Sequence, residues 1–154
     1  MMAEIEVLPL LHNVFSPQRL IESARTVYGL GYRVFIVTKA SGSAAQVGVP
    51  EAQKLALKLG KSLIYLPDLP DAIEMLKPDH TILVVPKRFA KEPLTSFLKD
   101  AGGRILVVFG GSDPGLSRRE LEMGLPVFVD GIEGEVGVVG LIAITLYLVR
   151  RFTA

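Results

Sequence analysis

Apolar strand segments alternate with helical segments along almost the whole of this chain, and this alternation limits its possible folds most. The strand segments are rich in Val, Ile, Leu and Phe, and they are predicted at residues 5–11, 33–38, 62–66, 81–86, 104–111 and 126–131. Strands that are apolar throughout are buried on both faces, as in parallel sheets that helices cover on either side. The sequence therefore predicts an α/β fold with a parallel sheet, in a single domain over residues 1–154.

Helix signals occupy the intervals between these strands. Ser16 and Pro17 form a typical N-cap and first-turn pair, and Gly29 or Gly31 should end the helix that they start. The predicted helices cover residues 17–28, 50–60, 68–76, 92–101, 117–123 and 135–151. Ligands of such sheets sit beyond the carboxyl ends of the strands. The loops of most interest are therefore residues 12–16, 39–48, 110–117 and 130–137.

Composition excludes several classes of function. The net charge is +1, so no global field attracts nucleic acid, and the absence of cysteine excludes disulfides, thiolate metal sites and a cysteine nucleophile. The most apolar stretch, residues 136–149, is shorter than the roughly 20 residues that a membrane-spanning helix needs. No secretory signal is visible. We therefore expect a soluble cytoplasmic protein, and the scarcity of Asn and Gln favours a heat-adapted organism.

Two glycine-rich segments follow the last two predicted strands. In FGGSDPGLSRRE, Gly110 and Gly111 lack a Cβ and allow close approach of the backbone, and Ser117 can cap the next helix. In PVFVDGIEGEVGVVG, glycine recurs at every third position from residue 131 to residue 140. Small residues at this spacing allow either tight packing of the last helix or entry of a ligand.

Together, these two segments resemble the last motifs of the SpoU-like RNA methyltransferases of the SPOUT class. Phe109-Gly110 leads without a gap to Gly115-Leu116-Ser117, where the family has a strand followed by a G-[SA]-E-G-x-G-L-S-like loop. The segment 127–131 takes the place of I-P-M-x-G. The last helix then closes with Leu146-Tyr147, in register with the family's L-Y.

An N-terminal motif extends the resemblance over nearly the whole chain. The family reads P-x-N-x-G-x-x-x-R-T followed by a glycine, and Pro17, Arg25, Thr26 and Gly31 stand at matching offsets. The family's arginine is associated with the reacting ribose hydroxyl. The resemblance therefore implies a catalytic role for Arg25, with Arg19, in the place of the family's asparagine, as a second catalytic candidate.

The resemblance implies a Rossmann-like SPOUT fold with a C-terminal trefoil knot over about residues 104–154. It also implies a homodimer that binds S-adenosylmethionine, mostly through main-chain groups, and methylates RNA (tRNA or rRNA), with the ribose 2′-oxygen as the candidate acceptor. The implied cofactor-binding residues are Gly110, Gly111, Val129, Gly131, Val136 and Val138.

Departures from the family motifs keep other hypotheses open. Arg19 and Ile21 replace the family's N and G, and Glu135, Val136 and Gly137 replace its S-L-N. A backbone-built cofactor pocket tolerates such changes better than catalytic side chains do. The alternatives are a catalytically degenerate RNA- or nucleotide-binding protein of the same fold, and an unrelated doubly wound ligand-binding protein without a knot.

Other polar groups rank lower as functional residues. Asp113, Asp130, Glu133 and Glu135 could converge at one sheet edge and bind Mg²⁺, but the Glu-x-Lys pair typical of a nuclease is absent, so we assign no metal site. We expect structural roles for His12 and His80. The basic pairs at 87–88 and 150–151 are typical of solvated faces, whereas the pair at 118–119 follows the predicted cofactor loop and could contact phosphate.

Overall fold

A computed structural model describes residues 4–112 and 115–153 of the chain. It contains seven β-strands: β1 (Ile5–Val14), β2 (Val34–Ala40), β3 (Ser62–Leu66), β4 (His80–Val84), β5 (Glu92–Pro93), β6 (Gly103–Gly110) and β7 (Leu125–Phe128). The α-helices are α1 (Pro17–Gly29), α2 (Val49–Leu59), α3 (Leu69–Leu76), α4 (Leu94–Lys99), α5 (Arg118–Leu121) and α6 (Gly137–Thr153). A π-helical turn, Ala44–Gly48, precedes α2, and a 3₁₀ turn, Lys87–Phe89, precedes β5.

The strands form one sheet in the order β3-β2-β1-β6-β4-β7-β5, and every neighbouring pair is parallel. The predicted α/β fold with a parallel sheet is therefore confirmed. The sequence analysis did not predict β5, which pairs with β7 through Glu92 and Pro93. A strand of two residues is too short to show a periodic pattern. The threading of the predicted knot over residues 104–154 stays a prediction.

The sheet separates two hydrophobic layers. One layer packs α1, α2, α4 and α6 against side chains such as Leu11 and Val107. The other packs α3 and the segment around α5 against Leu10 and Val108. Because alternate residues of a strand point to opposite faces, His12 follows Leu8 and Leu10 onto the α3–α5 face.

Local sequence explains the helix ends that position the functional loops. The Ser16 hydroxyl accepts a hydrogen bond from the Arg19 N–H at 3.1 Å, and Pro17 occupies the first turn of α1. Ser117 caps α5 as predicted, and it forms a reciprocal capping box with Glu120, three residues further on. Within the described part of the chain, no helix has both the length and the apolar character needed to cross a membrane.

Candidate functional site

The carboxyl ends of three adjacent strands, β2, β1 and β6, meet in register at one edge of the sheet. His12 of β1 is aligned with Thr38 of β2 on one side and with Gly110 of β6 on the other. Asn13, the next residue of β1, adopts a left-handed backbone conformation with φ of 65°. This is uncommon for a residue with a side chain, and asparagine tolerates it better than most. The sheet edge therefore combines polar side chains with irregular backbone.

Residues 111–112, which directly follow β6 and are called the β6 loop below, are held against the end of β1. The Gly111 N–H donates to the His12 carbonyl oxygen at 2.7 Å, and the Asn13 side chain donates to the Ser112 hydroxyl at 3.2 Å. Arg19, from the first turn of α1, donates through Nη1 to the Gly111 carbonyl oxygen at 2.8 Å. The structure thus brings together two residues that the sequence analysis singled out separately, Arg19 and Gly111.

Gly110 and Gly111 have a structural reason to be glycine. A Cβ on Gly111 would lie 2.9 Å from the Asn13 carbonyl oxygen and 2.9 Å from the Val14 Cβ. A Cβ on Gly110 would lie 3.2 Å from the Gly115 Cα. Both positions are therefore closed by the protein's own chain, and this packing alone explains the two glycines.

In the segment between β7 and α6, by contrast, two glycines face open space. Gly131 and Gly137 have φ of 96° and 78°, and a Cβ on either would meet no atom within 4 Å. A groove of about 560 Å³ lies beside this segment, lined by Leu30, Asp130, Gly131, Ile132, Ala143, Ile144, Tyr147 and Leu148. Positive φ explains glycine at both positions, and the open space leaves main-chain groups accessible.

The remaining predicted cofactor-binding residues lie on either side of this open segment. Val129 is buried in the core beside β7, so only its main chain could reach a ligand. Val136 is exposed immediately before α6, and Val138 is partly buried in its first turn. β7 is separated from β6 by β4 in the sheet. The two predicted halves of the pocket thus share one sheet edge but belong to non-adjacent strands.

The two predicted catalytic arginines are not on the same side of α1. Arg19 is partly buried at the β6 loop, whereas Arg25 is exposed. Successive residues of an α-helix are rotated by about 100°, so two side chains six positions apart point about 120° away from each other. Within one protomer, Arg25 therefore points away from the contact that Arg19 makes with Gly111.

His12 lies at the centre of a polar cluster that the sequence analysis did not identify. Its ring is fully buried, with Nδ1 2.7 Å from Thr38 Oγ1 and Nε2 2.5 Å from Glu120 Oε2. Asp68 Oδ1, at the N-cap of α3, is 3.9 Å from the same Nε2. Among the described residues, His12, Asp68 and Glu120 form the group whose potential metal-ligand atoms all lie within 4.8 Å of one another.

The environment of Glu120 favours its ionised form. Partial burial alone would raise the pKa of this carboxyl, but the Ser117 backbone N–H and the neighbouring His12 ring outweigh that effect. The pKa of Glu120 is therefore lowered from its ordinary value. The Ser117 N–H donates to Oε1 at 2.7 Å, which leaves Oε2 directed at His12.

The other polar residues considered from the sequence are dispersed. Asp113 lies outside the described residues, while Asp130, Glu133 and Glu135 are exposed and form no metal-ligand group within the described ranges. His80 is exposed, and its ring makes an edge contact with Phe97, with centroids 5.3 Å apart. The magnesium arrangement that was considered and set aside from the sequence thus gains no support.

Two of the three basic pairs from the sequence are partly explained by local contacts. Arg118 and Arg119 are exposed in α5 beside the β6 loop. Lys87 lies 5.3 Å from the centre of the Phe128 ring, and Arg150 lies 5.7 Å from the centre of the Tyr32 ring. The pair at 118–119 therefore stays the best placed of these cations to meet a ligand at the sheet edge.

Sequence comparison identifies the family. Residues 42–148 match the model of the family described as RecB-family nuclease (DUF2122). The chain belongs to this family. It is also 47% identical over 147 residues to the "Putative type II restriction enzyme ApeKORF2002P" of Aeropyrum pernix, covering 96% of this chain and 94% of the relative. The "Putative type II restriction enzyme MjaORF1200P" of Methanocaldococcus jannaschii is 39% identical over 89% of this chain and 91% of its own length.

Structural comparison gives a different kind of neighbour. A "probable methylase family protein" of Haemophilus influenzae superposes with a TM-score of 0.75 at 14% identity, over 95% of this chain and 64% of that protein. The SpoU methyltransferase AviRb of Streptomyces viridochromogenes, solved with AdoMet, gives 0.73 at 13% identity, over 98% of this chain and 61% of AviRb. This chain thus spans less than two thirds of the length of either neighbour. The likeness establishes the SPOUT fold of the SpoU-like methyltransferases.

Proposed function

We propose that this protein is an S-adenosylmethionine-dependent RNA methyltransferase that acts as a homodimer. The observation that carries the proposal is the open glycine segment between β7 and α6, in a chain whose fold is similar to that of AviRb, a neighbour solved with AdoMet. The motif resemblance over Phe109–Ser117 and Val127–Tyr147 supports it independently of the superposition.

The residues beside this segment fit such a cofactor. A groove of about 560 Å³ is within the range of about 300–1,000 Å³ that small-molecule sites occupy, and apolar side chains dominate its lining. Gly131 and Gly137 leave main-chain groups uncovered because neither a side chain nor another part of the described chain fills the space. Val136 and Val138 would contribute the main chain at the start of α6.

When bound, S-adenosylmethionine would supply an electrophilic methyl group. Methyl transfer to a hydroxyl asks the protein to hold the acceptor in line and to help remove its proton. Arginine keeps its charge at neutral pH, so Arg25 would stabilise an alkoxide or a phosphate rather than act as a base. Exposure of Arg25 on α1 is compatible with action across a dimer interface. Arg19, by contrast, would fix the β6 loop through the Gly111 carbonyl.

Calorimetric titration with S-adenosylmethionine and S-adenosylhomocysteine tests the cofactor site directly. Gly131→Val should abolish binding, because valine is strongly disfavoured at a φ of 96° and its side chain would enter the groove. Gly134→Val is the matched control, since residue 134 is exposed with open space around it and a φ outside the positive range. Failure of the wild-type protein to bind either compound at millimolar concentration would refute the proposal.

The role of Arg25 requires a transfer assay with radiolabelled cofactor and RNA from the source organism. Arg25→Ala should leave cofactor affinity nearly unchanged and lower methyl transfer about a hundredfold, the scale of losing a positioned catalytic group. Arg33→Ala is the control, because Arg33 is also exposed but lies outside the motif. Transfer at the wild-type rate by Arg25→Ala would remove the catalytic assignment.

The outer face of α6 supports the homodimer. Ile144, Tyr147 and Phe152 are 37%, 54% and 48% exposed, and the first two line the groove. An apolar helix face of this kind is usually covered by another surface. A two-fold contact between copies would cover it with the same face of a second chain. Sedimentation of a monomer at micromolar concentration would contradict this.

Two other functions compete with methyl transfer. The descriptions of the family and of both sequence relatives favour a nuclease, yet no lysine of this chain follows Asp or Glu at a spacing of two. Incubation of plasmid DNA and RNA with the protein and Mg²⁺ or Mn²⁺ tests cleavage, and cleavage without cofactor binding would make the nuclease the better account. Cofactor binding without methylation of any RNA would favour the degenerate binding protein.

A further inference from the structure

We propose that His12, Asp68 and Glu120 form a binding site for a divalent transition-metal ion, with Zn²⁺ as the best match. The site is distinct from the proposed cofactor groove, because it lies on the α3–α5 face of the sheet, whereas α6 lies on the other. It therefore does not depend on the proposed methyltransferase function.

The first argument is the set of ligand atoms. One imidazole nitrogen and two carboxylate oxygens lie within 4.8 Å of one another, and imidazole and carboxylate are both ligands of Zn²⁺. A fully buried imidazole with a nitrogen directed at two carboxylates distinguishes this cluster from an ordinary acidic surface. Three protein ligands leave a fourth position for water or substrate, which is the arrangement of catalytic zinc sites.

The second argument is the support behind the ligands. Histidine ligands usually donate their other ring N–H to an oxygen, which fixes the tautomer. His12 Nδ1 is 2.7 Å from Thr38 Oγ1, so a donated hydrogen bond there would leave the Nε2 lone pair facing Glu120 and Asp68. Glu120 is oriented in turn by the Ser117 N–H, and Asp68 Oδ1 by the Leu69 N–H at 2.8 Å.

Entry of the ion requires a small movement. His12 Nε2 and Glu120 Oε2 are 2.5 Å apart and share a hydrogen bond, whereas two ligands of a tetrahedral Zn²⁺ are about 3.3 Å apart. The ion would replace the shared proton and separate the pair by less than 1 Å. Glu120 can move because α5 has only four residues, and Asp68 is half exposed, which gives access from solvent.

The test is titration of the full chain with Zn²⁺. Binding is monitored by the imidazole signals in nitrogen-detected NMR and by calorimetry. The chain has two histidines, so the assignment is direct: the signals of His12 should shift on addition of one equivalent, and those of His80 should not. Because nitrogen ligands favour Zn²⁺ over Mg²⁺, Mg²⁺ should bind more weakly. Unchanged His12 signals in millimolar Zn²⁺, or equal affinity for Mg²⁺, would overturn the proposal.

Matched substitutions separate ligands from surface charges. Asp68→Asn and Glu120→Gln should each weaken Zn²⁺ binding at least tenfold, while Asp71→Asn in α3 and Glu122→Gln after α5 should not. Asparagine is as good an N-cap as aspartate, so Asp68→Asn should fold normally even if Glu120→Gln does not.

Loss of the Thr38 hydroxyl in Thr38→Val should weaken Zn²⁺ binding about 10–100-fold, the usual effect of removing a hydrogen bond behind a metal ligand. If Asp68→Asn and Thr38→Val each bound Zn²⁺ with wild-type affinity, neither Asp68 nor the hydrogen bond to Thr38 would contribute to binding. That result would overturn the assignment of the site.

Discussion

Adding a single methyl group at Gly111 tests how the β6 loop is held to β1. In Gly111→Ala, the new Cβ would lie 2.9 Å from both the Asn13 carbonyl oxygen and the Val14 Cβ. Carbon atoms in optimal contact are about 3.5–4.0 Å apart, so the loop and the strand would have to separate by roughly 0.6 Å or more. Such overpacking usually costs about 1–3 kcal/mol. For a domain of this size, we expect the melting temperature to fall by roughly 2–12 °C.

Gly134→Ala is the control, with an effect of the opposite sign. A Cβ at Gly134 meets no atom within 4 Å, and replacing glycine in a permissible conformation stabilises by about 0.4–1 kcal/mol through the unfolded state. Thermal unfolding of both variants, followed by circular dichroism at one scan rate, gives the comparison. If Gly111→Ala melted at or above the wild-type temperature, the close packing of Gly111 on β1 would be wrong.

Three further predictions concern stability and assembly. Thr145→Val should raise the free energy of unfolding by about 1 kcal/mol in a denaturant titration, because the buried Thr145 hydroxyl finds no partner among the described residues. Burial raises the pKa of Tyr28 and of Tyr32 to about 12, so their contribution to stability is intact below pH 10 and should be lost between pH 10 and 12 in alkaline melts. Tyr147→Glu should shift sedimentation toward the monomer if α6 forms the dimer interface.

The fold was largely predictable because its signals are local. Uniformly apolar strands and capped helices follow from residues close in sequence, and Ser16 and Ser117 cap helices as their positions predict. The errors arose where tertiary contacts override local preference. Asn13 extends β1 through a left-handed conformation, and the pairing of Glu92 with β7 is visible only once the sheet exists.

The candidate site was less predictable, because its strongest contacts join distant residues. His12 and Glu120 are 108 positions apart, and His12 and Thr38 are 26 apart, so no spacing motif connects them. One signal was present: a histidine at the end of an otherwise apolar strand must find polar partners when buried. The contact between Arg19 and Gly111 was equally hidden, although both residues lay in segments that the motif resemblance highlighted.

Gly111 and Glu120 make main-chain and side-chain contacts on opposite faces of the sheet. On the α1 side, Arg19 binds the Gly111 carbonyl oxygen; on the α3–α5 side, Glu120 binds His12. The Gly111 N–H also donates a hydrogen bond to the His12 carbonyl oxygen. The end of β1 therefore supports both contacts. A metal ion bound by His12 and Glu120 would therefore act on the strand end to which Arg19 is linked, through Gly111, from the opposite face.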